Sequence, residues 1–195
     1  ISGGTGADKI TGGLGADVIT GEGGNDTIKY TDGSDAAGAE SVDGGAGSDL
    51  LLLQNVEEPI VFTAATITRV ERLEYRQSAD AYFLSDHFMG KNGITEVTYG
   101  TGNDRLTVQG ADFDLSGLVI NNYGAAGTDA LFLSGTDPSG CTITGTDYSQ
   151  WIYGDSGDDS LTGGSQADIL APRMGTDSVA GGGGNDVWLI FDPDE

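Results

Sequence analysis

Residues 3–29 read GGTGADKIT GGLGADVIT GEGGNDTIK, three nine-residue units laid end to end with the same residue type at the same offsets. Each opens on a glycine-rich half ending on an aspartate (Asp8, Asp17, Asp26), and an apolar residue follows two positions later (Ile10, Ile19, Ile28). Glycines permit the positive φ angles of a tight turn, and the alternating tail suits a short strand with one inward side chain. One unit is therefore one turn plus one strand. Nine residues cannot enclose a core, so successive strands must stack on others of their kind to bury the isoleucines, which predicts an all-β solenoid.

Outward from this stretch the pattern fades and returns. Residues 30–38 keep an aspartate at the sixth position (Asp35) but lose the apolar tail, and residues 39–43 interrupt the phase. Residues 44–52, GGAGSDLLL, restore it with Asp49 and Leu51, which reads as a surface loop on a continuing solenoid. Between 54 and 97 the glycines disappear, and strands are expected at 60–63, 70–76 and 81–84. The alternating charges of 69–76 read as a salt-bridged outer face. Residues 99–107, YGTGNDRLT, form another unit with Asp104, and Asp129 precedes a strand-like run at 130–133. Counting back in nines from Gly154 keeps Ile152 and Ile143 in phase, although Gln150 and Cys141 stand where an aspartate is expected. Four units, GDSGDDSLT GGSQADILA PRMGTDSVA GGGGNDVWL, then supply Asp159, Asp168, Asp177 and Asp186. The expected organisation is one continuous solenoid: a repeat block at 1–52, a degenerate segment at 53–98, irregular coils at 99–153 and a second repeat block at 154–195.

The 195-residue chain has a formal net charge of -23, with 23 Asp against 8 Glu. A merely solubilising surface has little reason to prefer the shorter carboxylate, whereas turn geometry and hard-cation ligation both favour it. Without bound cations such a chain repels itself. Eight Lys plus Arg, with no basic run, exclude nucleic acid and anionic membranes as partners. A single cysteine, Cys141, rules out an intrachain disulfide, so a metal is the expected staple. All-oxygen ligation by flexible turns suits calcium better than magnesium, zinc or copper. No removable signal and no bilayer-spanning apolar run is present, and the chain reads as a piece of a larger protein with domains upstream and downstream.

The units match the nonapeptide G-G-x-G-x-D-x-U-x, and the chain thereby resembles the RTX, or haemolysin-type, calcium-binding repeat family. The resemblance implies a right-handed parallel β-roll, or β-helix, with two units per coil and several Ca2+ ions between stacked turns. A turn would then stack on the turn 18 residues later, pairing Asp8 with Asp26, Asp17 with Asp35, Asp159 with Asp177 and Asp168 with Asp186. It further implies backbone ligands: carbonyls of Gly4, Gly6, Gly21 and Gly23 at the Asp8/Asp26 site, and of Gly164, Gln166, Gly181 and Gly183 at the Asp168/Asp186 site. Asp49, Asp104 and Asp129 are the remaining candidate ligands, with turn formation as their alternative role. Metal binding would supply folding free energy directly. The family resemblance also implies a protein secreted from a Gram-negative bacterium by type I secretion with an uncleaved C-terminal signal. Only residues 190–195 follow the last unit.

The expected function is a calcium-binding structural module that folds outside the cell and serves as a folding, spacer or surface-attachment element of adhesin or S-layer type. The alternative is the C-terminal module of a secreted polysaccharide-active enzyme, protease or lipase. The lone histidine, His87, follows Asp86, but neighbouring strand residues face opposite ways, and no catalytic motif is present; the fragment is expected not to be an enzyme. Tyr148, Trp151 and Tyr153 form the densest aromatic cluster, which admits a cell-surface glycan, and S-layer-type proteins add self-association as a further expected partnership.

Overall fold

The structure, a computed structural model, describes residues 1–36, 38–54, 59–90, 92–125 and 127–190. Of the tail after the last repeat only Ile190 lies within them. The chain is built almost wholly of short parallel strands, and it divides into two compact units, one of residues 1–106 with 119–129, the other of 107–118 with the residues from 130 onward.

In the first unit one sheet runs Ser2–Thr5, Val18–Gly23, Ser41–Asp43, Thr66–Thr68, and another runs Lys9–Ile10, Thr27–Tyr30, Leu50–Leu53, Arg72–Tyr75, Glu96–Thr98, Val119–Asn121. The pairings among the described strands are parallel, and the register sets the inward apolar residues in columns. Ile10, Ile28, Leu51, Leu73, Val97 and Ile120 stand side by side, as do Ile19, Val42 and Ile67. All are buried. Each such side chain contributes roughly 1.5–3 kcal/mol from leaving water, which no single nine-residue unit could gain alone. Ile60–Val61 pairs with Asp80–Leu84, and Tyr30, Phe62 and Phe83 pack ring on ring in the interior.

In the second unit the strands Asp112–Asp114, Thr142–Thr144, Ser160–Gly164 and Ser178–Gly182 align Phe113, Ile143, Leu161 and Val179. The strands Ala130–Gly135, Trp151–Tyr153, Ile169–Ala171 and Val187–Trp188 align Leu133, Ile152, Leu170 and Trp188. The columns are buried until the last coil, where Trp188 is 54% exposed because no further strand covers it among the described residues.

Partner residues lie 18 positions apart in the clean repeats, as Lys9 with Thr27 and Ile152 with Leu170. The interruption at 39–43 lengthens the step, so that Ile28 pairs with Leu51 and Ile19 with Val42. The extra residues are taken up outside the strands, around a 3-10 turn at Gly33–Ala36. Inward columns therefore survive although the repeat does not.

Candidate metal centres

The acidic residue of each turn sits two positions before an inward apolar residue, which fixes it at the corner where turn becomes strand. From there its carboxylate reaches the neighbouring coil. The backbone N–H of Asp8 donates to Oδ1 of Asp26 (2.8 Å), that of Asp26 to Oδ1 of Asp49 (2.7 Å), and that of Asp49 to Oε2 of Glu71 (2.8 Å). A second ladder joins Ala79, Asp104 and Asp129 at 3.0 and 3.1 Å. In the second unit Cys141, Asp159 and Asp177 form one (2.8 and 2.9 Å), and Gln150, Asp168 and Asp186 another (3.1 and 3.0 Å). Each carboxylate thus takes a charge-assisted hydrogen bond from a backbone N–H of the preceding coil.

The stacking of Asp8 on Asp26, Asp159 on Asp177 and Asp168 on Asp186 agrees with the 18-residue step. That of Asp17 on Asp35 does not. Because residues 39–43 lengthen the coil, the N–H of Asp17 donates to Glu40 Oε1 (3.2 Å), whose other oxygen accepts from Tyr30 Oη (3.2 Å). Asp35 instead closes its own 3-10 turn, accepting from the N–H of Thr31 (2.8 Å) and of Asp32 (3.2 Å). Glu40 and Glu71 join the ladders although the nine-residue count does not mark them; each precedes an inward residue, Val42 or Leu73, by two positions, and that spacing alone identifies them in the sequence.

The first glycine of each unit has a purpose other than a positive φ. A Cβ on Gly3 would lie 3.0 Å from Asp8 Oδ2 and 2.9 Å from the Gly21 carbonyl oxygen. Gly21 would meet Asp26 Oδ2 and the Gly44 carbonyl, Gly154 would meet Asp159 Oδ2 and the Pro172 carbonyl, and Gly163 would meet Asp168 Oδ2 and the Gly181 carbonyl, all more tightly. Positive φ falls instead at second and fourth positions such as Gly4, Gly6, Gly13 and Gly15, and Glu22 (φ 75) and Arg173 (φ 73) accept it where glycine is replaced. The turn at Pro172 consequently forms. At Gly3, Gly21, Gly154 and Gly163 a carboxylate oxygen and a carbonyl oxygen of the next coil thus converge beside the first glycine, the Oδ2 atoms of Asp159 and Asp168 also accepting the N–H of Asp155 and of Gly164 (2.9 Å each).

Burial sharpens this. Asp26 and Asp49 are fully buried, and their Oδ2 atoms, like that of Asp17, have no hydrogen-bond donor. Burial pushes the carboxyls of Asp49, Asp168 and Glu40 above the usual range, and that of Asp104 up to about 6. Such oxygens fit a hard cation, and among the described residues no cluster of three or more acidic, His or Cys side chains forms, so backbone carbonyls must complete any oxygen shell. Of the carbonyls expected as ligands, Gly23 accepts from Gly6 N–H (2.6 Å) and Gly164 from Gly183 N–H (2.8 Å), each keeping a second lone pair. Those of Gly21 and Gly181 converge with Asp8 and Asp168, and those of Gly6 and Gln166 lie against Gly24 and Gly184 of the next turn. Calcium, when bound, would supply the positive charge that these converging oxygens lack.

Two positions replace the carboxylate with a neutral donor. Gln150 donates its side-chain amide to Asp168 Oδ1 (3.1 Å) and accepts from Thr146 N–H (2.8 Å); Cys141 is buried, its thiol pushed up to about 12 by burial and by Asp159. His87 is buried, with Nε2 3.1 Å from the Ala65 carbonyl, and burial lowers its pKa. The rings of Trp151, Tyr153 and Phe132 are nearly parallel at 6.0–6.3 Å, and Arg173 lies over Tyr153 at 5.4 Å, so these faces are turned largely on one another. Near 69–76 the expected ion pairs appear as Arg76 with Glu74 (2.9 Å), while Arg69 grips Asp43.

Parallel strands, glycine turns and ladders of buried carboxylates define a calcium-binding β-roll. The RTX calcium-binding nonapeptide repeat matches in four copies, at residues 2–36, 34–51, 144–179 and 173–187, so that the chain carries two blocks of that family's repeats, which bind several calcium ions. No curated protein and no solved structure gives a match.

Proposed function

We propose that this chain is a calcium-triggered folding and spacer module of a secreted protein, carrying no chemistry of its own and presenting neighbouring domains of adhesin or S-layer type outside a Gram-negative cell. The observation that carries the reading is the fully buried pair Asp26 and Asp49, each with a carboxylate oxygen that no protein group satisfies. Leaving a charged group so placed is costly, and Asp17 adds a third such oxygen in a chain of net charge -23. Where free calcium is scarce the balance favours the open chain, which suits passage through a narrow conduit; in millimolar calcium the coils lock. The carboxylates of Asp8, Asp17, Asp26, Asp49, Asp104, Asp129, Asp159, Asp168, Asp177 and Asp186 are the side-chain ligands in this reading, and Glu40 takes the place beside Asp17. No helix among the described residues is long and apolar enough to cross a membrane.

Far-UV circular dichroism after exhaustive chelation, titrated with calcium and separately with magnesium, tests this. A cooperative gain of β signal with calcium alone is expected. A chain fully ordered in chelator would overturn the trigger, though not the roll.

A further inference from the structure

The N-terminal repeat block ends near Asp49, but the convergence of carboxylate and carbonyl that marks its levels continues for one level more. The coil that follows turns its corner in three residues, Arg69, Val70 and Glu71, where a repeat uses six, and it contains no glycine. The N–H of Gly44 is bonded to the Thr68 carbonyl (3.0 Å), so Arg69 stacks on Gly44 as one first-position residue on another, although its left-handed φ (53) is one that the repeats place at their second position. The Arg69 carbonyl oxygen and Asp49 Oδ2 converge on the space where a Cβ of Gly44 would be, Asp49 Oδ2 at 2.7 Å from it. This repeats the convergence at Gly21 and Gly163. Glu71 reaches the ladder position with its longer side chain, offsetting the shorter corner, and accepts the N–H of Asp49 through Oε2.

Three features separate this level from a plain acidic corner. Asp49 is fully buried, its Oδ2 has no donor, and a carbonyl is aimed at the same space. The nearby cations do not satisfy that oxygen: Arg69 pairs with Asp43, and Arg72 donates Nη2 to the Ser48 carbonyl (3.2 Å). From these we infer that Asp49, Glu71 and the Arg69 carbonyl form a divalent-cation site one level beyond the last repeat, so that calcium joins the repeat block to the glycine-free coil above it. The inference rests on the calcium-binding reading and adds to it a hybrid site, half repeat and half not, with a preference for a large oxygen-seeking ion.

The test counts calcium on the whole chain by native mass spectrometry and follows calcium-induced amide protection by hydrogen exchange, in the unaltered protein, in Glu71→Gln and in the control Glu74→Gln. Glu71→Gln is expected to bind one ion fewer and to lose protection at residues 68–76, while residues 3–30 and 154–189 respond as before; the control is unchanged. Equal ion counts with equal protection would overturn the site and leave the repeat reading intact. An unaltered protein that binds no calcium would sink both. If Glu71→Gln does not fold, Glu71→Asp serves: its shortened reach should weaken binding of one ion at least tenfold, and an unchanged titration would again reject the site.

Discussion

Gln150 bonds to Asp168 twice, through its backbone N–H and through its side-chain amide, both to the same oxygen, Oδ1, at 3.1 Å. The amide also holds its own turn, giving Nε2 to the Thr146 carbonyl (3.0 Å) and receiving the Thr146 N–H. A neutral side chain therefore completes this rung, whereas Asp8 with Asp26 and Asp168 with Asp186 bring two acids together.

Glu at position 150 keeps the size of the side chain but removes the donor and adds charge beside Asp168. We expect Gln150→Glu to destabilise the chelated protein by about 1–3 kcal/mol, the range for an unsatisfied buried polar group, and to lose less in saturating calcium. Urea unfolding in both conditions measures the difference. Equal losses would mean that no cation can reach this level.

Glycines at the first and second positions should differ in how they fail. Gly21→Ala drives a methyl into Asp26 Oδ2 and the Gly44 carbonyl, and is expected to weaken calcium binding as well as cost about 1–3 kcal/mol by overpacking. Gly13→Ala faces open space but must hold φ near 91°, so it should cost only the left-handed penalty, about 1–2 kcal/mol, with calcium affinity unchanged. Calcium titrations followed by unfolding of both variants check the contrast.

Acid should stabilise the metal-free fold. The Asp104 carboxyl is pushed up to about 6 from an ordinary value of 3.8, and those of Asp49, Asp168 and Glu40 also move upward, so at these four sites the folded chain binds more protons than the unfolded one, opposed by the one proton that buried His87, its pKa lowered, takes up only on unfolding. The contribution from Asp104 is complete below its ordinary value and is lost as pH rises through about 6. Thermal melts in chelator should therefore rise from pH 7.5 to pH 5, whereas calcium affinity should fall as protons compete for the same oxygens. A melting temperature that drops on acidification without calcium contradicts this.

Cys141 offers a readout without a label. Its thiol is buried and held far from ionisation, so a thiol reagent at pH 8 should react slowly, by at least tenfold, in calcium and quickly once chelation opens the second unit. Fast reaction in saturating calcium would show that this coil does not close.

The architecture was legible because a nine-residue phase ties one turn and one inward residue to every strand, and the apolar columns needed nothing else. Even Gln150 and Cys141 could be kept in register from Ile152 and Ile143. The ladder partners were less so. Asp35 occupies the expected slot in the count, yet the added residues hand that place to Glu40, and only the spacing to Val42 reveals it. Glu71 was hidden in a run of alternating charge that also read as an outer face. Phe132 could not be grouped with Trp151 and Tyr153 from sequence, because parallel neighbours are a whole coil apart. Close approach of one turn to the next also gives the first glycine its role, and no reading of a single turn exposes a contact with another.

All the ladder bonds point the same way: an amide waits for a carboxylate that comes later in the chain, Asp8 for Asp26, Asp26 for Asp49, Asp49 for Glu71. Assembly consequently has a grammar. A coil emerging N-terminus first is left incomplete until its successor arrives, while one emerging C-terminus first finds its acceptor already in position.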